Sequence, residues 1–87
     1  MRAVEFSTDA LADFGWWIEH DRKVAMRVLR LIGEVQRTPF AGTGKPEALQ
    51  GDLRGAWSRR ITQEHRLVYE VEAGRIRVLA CRYHYAG

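Results

Sequence analysis

Cysteine is almost missing from this chain: Cys81 is the single thiol in 87 residues. One thiol cannot close an internal disulfide and cannot assemble a cysteine metal cluster. Long apolar runs are missing too, and none approaches the ~18 residues that a transmembrane helix needs. No membrane partner is therefore expected. Residues Met1 to Ser7 contain no secretory hydrophobic region, so a cytoplasmic location is expected. No repeat, low-complexity stretch or linker interrupts the sequence. A second hydrophobic core would leave each half too small to fold alone, so residues 1–87 are read as a single domain. With 46% hydrophobic and 29% charged residues, the composition is that of a folded globular chain and not a disordered one.

What is present in excess is arginine. Lys and Arg number 14 against 11 Asp and Glu, and only Lys23 and Lys45 are lysines. Arginine suits bidentate phosphate contacts and stacking on bases. Residues 1–39 balance their charges, so the net +3 comes entirely from residues 40–87. This distribution points to a polyanion, nucleic acid before membrane, because no basic amphipathic helix is evident. Genomic base composition alone would account for the same richness.

The apolar spacing predicts the order β-α-α-β-β-β. Arg2–Phe6 reads as a strand, and Ser7 or Thr8 caps a helix whose apolar stripe is Leu11, Phe14, Trp17 and Ile18. Asp21 caps a second helix with Val24, Val28, Leu31, Ile32 and Val35 on one side, closed by Thr38-Pro39. Residues 40–55 hold four of the eight glycines and read as a long loop. Strands resume at Trp57–Thr62 and Arg66–Glu72, then continue through Arg75–Tyr85 after a two-residue turn at Ala73-Gly74. A simple register about that turn sets Arg66 opposite Cys81 and Val68 near Leu79. The fold class is α+β, a mainly antiparallel sheet with an αα-hairpin on one face.

Gly42-Thr43-Gly44-Lys45 is not a nucleotide phosphate loop. Pro39 stands where that motif needs its first glycine, Pro46 follows the lysine, and a helix rather than a strand precedes it. Glu47, Arg66 and His84 form a more useful set. A carboxylate, a guanidinium and an imidazole suffice to cleave RNA without metal or cofactor. The first takes the proton of a 2′-hydroxyl, the second stabilises phosphorane-like charge, and the third protonates the 5′-oxygen. By spacing alone, blander readings stand beside this one. Glu47 also reads as a solvated loop acid, Arg66 as a partner of Glu64 or Glu70, and His84 as part of a frayed terminus. His20 and His65 read as structural or exposed, and Cys81 as a buried thiol acting as a small hydrophobe. Trp57 reads as packed. Trp16 and Trp17 are adjacent and cannot share one core, which leaves one for an interface.

Three stretches carry a resemblance: Arg37-Thr38-Pro39-Phe40 with Gly42–Glu47; Gly55-Ala56-Trp57-Ser58-Arg59-Arg60-Ile61-Thr62; and Glu64–Tyr69 with the terminal Ala80-Cys81-Arg82-Tyr83-His84-Tyr85. On them the chain resembles the YoeB-type toxins, the Txe/YoeB family within the RelE/ParE superfamily, over essentially its whole length and least in the two helices. The resemblance implies a RelE-like microbial RNase fold and a toxin that cleaves mRNA in the ribosomal A site. It implies an antitoxin of the YefM/Phd kind, operator DNA reached only through that complex, and a homodimer, which a spare tryptophan would fit. By the same pattern Glu47 is the general base, His84 the general acid and Arg66 the transition-state stabiliser. Tyr85 holds or stacks the RNA, and Lys45, Arg59 and Arg60 contact phosphate. The chain departs from the pattern at Gln50, where a lysine is expected, and in the Ala86-Gly87 tail. The alternative reading is a non-catalytic binding module of the same fold, either a gyrase-directed relative of the ParE kind or a degenerate toxin that only binds antitoxin.

Overall fold

The structure is a computed structural model that describes residues 1–83. Its elements are β1 (Ala3–Phe6), α1 (Thr8–His20), α2 (Arg22–Arg37), β2 (Glu47–Ala48), a short 3-10 turn (Gly51–Leu53), β3 (Ala56–Arg60), β4 (Arg66–Glu72) and β5 (Arg75–Ala80). The sheet order is β1-β5-β4-β3-β2. Every pairing is antiparallel except β1 with β5, which is parallel; the two helices carry the chain from β1 to β2 at the opposite edge of the sheet. The α+β reading stands, with a two-residue strand added inside what reads as a loop.

Both helices start where the side chains cap them. Ser7 Oγ accepts the Ala10 N–H at 3.0 Å, and Asp21 Oδ1 accepts that of Val24 at 3.3 Å. The α2 stripe is buried as expected: Val24, Val28, Leu31, Ile32 and Val35, with Ala25. In α1 the spacing misleads. Ala10, Phe14 and Trp17 face the core, while Leu11 is 61% and Ile18 43% exposed. The chosen face is set by Trp17, whose indole N–H must reach the Cys81 carbonyl, which it does at 2.7 Å.

The helices cover one face of the sheet, over Ile61, Leu67, Tyr69, Ile76, Val78 and Cys81. On the other face, Leu49 and Leu53 fold back over Ala56, Val68, Leu79 and Ala80. The β4–β5 hairpin keeps its simple register from Glu72↔Arg75 to Tyr69↔Val78, then slips so that Val68 pairs with Ala80. The expected partners Leu79 for Val68 and Cys81 for Arg66 are thereby displaced. One extra residue on β5 is a β-bulge, and it turns Cys81 inward against α1. There Asp13 accepts the Cys81 N–H at 3.0 Å, and burial with the Asp13 charge pushes the thiol up to about 12. Cys81 is thus the buried small hydrophobe expected of it. Among the described residues no helix is long and apolar enough to cross a membrane.

Candidate functional site

The site is built from the β2 edge inward. Glu47 pairs with Ser58, Ser58 with Val68, and Val68 with Ala80, so Glu47 stands at the end of a row crossing the face away from the helices. Two residues along, Arg60 pairs with Arg66, and the Arg60 N–H donates to the Gly44 carbonyl at 2.7 Å, bringing Lys45 alongside. Lys45, Glu47, Arg60 and Arg66 therefore gather at one end of one face. Strand spacing puts the Glu47 and Arg66 backbones ~12 Å apart, within joint reach of one nucleotide linkage. Glu47, Lys45 and Arg60 are exposed and Arg66 is half-buried.

Arg66 is not aimed at Glu47. Its Nη1 donates to the Thr62, Gln63 and His65 carbonyls at 3.0, 3.0 and 3.1 Å, so the guanidinium leans over the β3–β4 turn. It pairs with neither Glu64 nor Glu70 among the described residues.

His84 and Tyr85 lie outside the described residues. The chain leading to them is held tightly, however. The Arg66 N–H donates to the Tyr83 carbonyl at 3.1 Å, and the Tyr83 N–H donates to His65 Nδ1 at 2.7 Å. The His65 ring stands edge-on to Trp17, with centroids 4.7 Å apart. His65, read from sequence as structural or exposed, is thus a structural anchor beside the site. Nothing in its sequence context signals this, because the partner is 18 residues away. Of the two adjacent tryptophans Trp17 is the buried one, while half-buried Trp16 stacks on His20 and carries the Arg82 guanidinium 3.6 Å from its ring centroid.

Arg59 is the correction. It cannot be a phosphate contact, because it is fully buried and all five of its N–H groups are engaged. Nε donates to the Tyr69 hydroxyl at 3.3 Å, and Nη1 to Glu34 Oε1 and the Thr43 carbonyl at 3.3 and 3.2 Å. Nη2 donates to the Thr38 and Ala41 carbonyls. Tyr69 passes the network on by donating to the Pro39 carbonyl at 2.6 Å. Burial raises the Tyr69 phenol above its ordinary value, against the pull of Arg59. The Thr43 N–H holds the Glu34 carboxyl below the usual carboxylate range, with Arg59 adding to it against desolvation.

The Gly-rich loop is therefore a folded platform for Lys45 and Glu47. Gly44 has φ +87°, and a Cβ there would meet the Arg60 carbonyl oxygen at 3.0 Å, so the close backbone approach requires glycine. The sequence signal for this platform lies in Thr38-Pro39, Gly42 and Gly44, within the segment that reads as a long loop.

Residues 6–85 match the model of the YoeB-like toxin of bacterial type II toxin–antitoxin systems. A toxin YoeB of Mycobacterium bovis is 58% identical over 85 residues, covering 98% of this chain and all of that protein. The YoeB dimer from Staphylococcus aureus superposes with a TM-score of 0.90 at 38% identity, covering 97% of this chain and 98% of that one. The YoeB of the YoeB–YefM complex from the same organism gives 0.88 at 36% identity, covering 98% and 99%.

Proposed function

The chain belongs to the YoeB-like toxins of bacterial type II toxin–antitoxin systems, and from that premise we propose that it is a ribosome-dependent endoribonuclease that cleaves mRNA in the A site. The observation that carries this reading is the gathering of Lys45, Glu47, Arg60 and Arg66 at one end of the sheet face away from the helices, with Tyr83 delivered against Arg66. Glu47 takes the proton from the 2′-hydroxyl as its oxygen attacks the adjacent phosphorus. The guanidinium of Arg66 stabilises the charge that builds on the phosphoryl oxygens, and Lys45 and Arg60 hold flanking phosphates. His84, the residue after Tyr83, gives a proton to the departing 5′-oxygen, and Tyr85 holds the RNA. Each proton transfer of this kind contributes ~10²–10⁴-fold.

The same geometry supports ribosome dependence. An open site whose Arg66 is tethered to a turn gains orientation when a splayed, immobilised strand is presented to it. The antitoxin partner is a YefM/Phd-type protein, and the chain forms a homodimer; the staphylococcal relatives support both. The Arg66 tether also favours a second reading, a non-catalytic binding module.

Primer extension on a reporter mRNA, with purified protein and with or without programmed ribosomes, tests the proposal. Cuts inside codons only with ribosomes support it, and Glu47→Ala or His84→Ala abolishes them. Equal cutting of free RNA overturns the ribosome dependence. Unchanged cutting by both variants overturns the acid–base assignment, and absence of any cut by folded protein promotes the binding module.

A further inference from the structure

The charge balance of the first 39 residues conceals a sharp segregation. Helix α1 carries Asp9, Asp13 and Glu19 and no Lys or Arg, whereas α2 carries Arg22, Lys23, Arg27, Arg30 and Arg37 against one acid, Glu34. The basic amphipathic helix missed in the sequence is α2. Lys23, Arg27, Arg30 and Arg37 follow spacings of three, four and seven, which keep them on one exposed face. At 1.5 Å per residue this stripe runs ~21 Å. Glu34 lies within the stripe, where its carboxylate is bound to Arg59 and the Thr43 N–H.

The stripe continues into the site. A cleft of about 480 Å³ between α2 and β3 is lined by Arg27, Arg30, Glu34, Thr43 and Arg60. Arg27 is fixed at its mouth by donating from Nη1 to the Ile61 carbonyl at 2.8 Å. Arg60 thus belongs both to this cleft and to the row beside Lys45 and Arg66.

We propose that the basic face of α2, with Arg27 and Arg60 at the cleft, is a docking surface for the phosphate backbone of folded, double-helical RNA. The proposal rests on the RNA-directed reading above and assigns this surface to holding structured RNA, apart from the strand being cut. The stripe contains no aromatic residue, so it offers no stacking platform for a single strand. A straight helix presenting four cations along ~21 Å of one face, at steps of ~6, ~4.5 and ~10.5 Å, offers a rigid line of charge to a regular backbone, and contacts confined to backbone carry no sequence information. A protein partner would look instead for apolar surface. That lies on a different face of α2, where Met26 and Leu29 meet Phe14 and Ile18.

The test compares the full chain with Lys23→Gln/Arg30→Gln, both exposed positions, and with the reversal Lys23→Glu/Arg30→Glu. The probes are a 20-base-pair RNA duplex and a 20-nucleotide single strand of 2′-O-methyl RNA, titrated between about 50 and 200 mM salt. The neutral variant loses at least about tenfold in duplex affinity and its log–log salt slope falls by about 2, roughly one per lost phosphate contact. The reversal loses more, and the single strand is affected much less. Equal duplex affinity and slope in parent and variants overturns the proposal. So does a loss confined to the single strand, or to binding of a YefM-type antitoxin. If the parent fails to cut programmed mRNA while the variants still lose the duplex, the nuclease reading fails and the docking surface stands.

Discussion

Arg59 and Tyr69 lie side by side beneath the Gly-rich loop, the guanidinium donating to the phenol and the phenol donating to the Pro39 carbonyl. Through this pair a charged residue in the middle of β3 organises a segment whose backbone begins 21 residues earlier, at Thr38. An arginine that reads as an RNA contact is spent on positioning Lys45 and Glu47.

Arg59→Ala removes the donor shared by three loop carbonyls, the Tyr69 hydroxyl and the Glu34 carboxylate, which keeps only the Thr43 N–H. Each hydrogen bond to a charged group contributes ~1.5–3 kcal/mol, so losing several of them removes a large share of the stability of a small domain. Thermal unfolding of this variant should begin roughly 15 °C lower or more. Arg59→Lys, with three donors in place of five, falls between the two. A midpoint unchanged in Arg59→Ala would show that the loop holds itself.

Acid should loosen the same platform. The Glu34 carboxyl is held below its unfolded value, so its contribution is complete above the ordinary carboxylate range. It is lost as pH falls through the depressed folded value. Urea midpoints measured from pH 7 downward should decline more steeply for the parent than for Glu34→Gln, which has no proton to take up at this position. Parallel declines would remove Glu34 from the acid response.

The acceptor role of His65 Nδ1 toward Tyr83 puts the ring proton on Nε2. His65→Phe keeps an aromatic edge for Trp17 but loses the acceptor. The loss of one hydrogen bond, ~1.4 kcal/mol, should appear as about a tenfold fall in kcat for the proposed ribosome-dependent cleavage, with KM little changed. His65→Asn, which restores an acceptor, should recover part of it. A Phe variant of full activity would show that the chain entering His84 does not depend on this anchor.

Cys81 should be silent to reagents in the native protein. Its thiol is fully buried, donates to the Ala10 carbonyl at 3.6 Å and is pushed up to about 12, so thiolate is scarce at neutral pH. Alkylation by iodoacetamide, followed by mass, should proceed only as the protein unfolds. Rapid native labelling would mean that the β5–α1 contact opens readily.

The sequence by itself determined what depends on near neighbours. Ser7 and Asp21 announce the helix starts, the α2 stripe from Val24 to Val35 has only one face it can bury, and Ala73-Gly74 makes a tight turn wherever it is placed. The Glu47, Arg66 and His84 set and the family resemblance were legible as residue types in order. Tertiary structure decided whatever depends on distant partners. It chose Ala10 over Leu11 in α1 because Trp17 must reach Cys81, and it inserted the bulge that turns Cys81 inward. It buried Arg59, since five acceptors converge there from segments far apart in the chain, and it sorted a neutral half into an acidic helix and a basic one. Periodicity reports which residues share a face. Which face meets the core, and which cation is left for a ligand, is settled only when the other elements supply or withhold the partners.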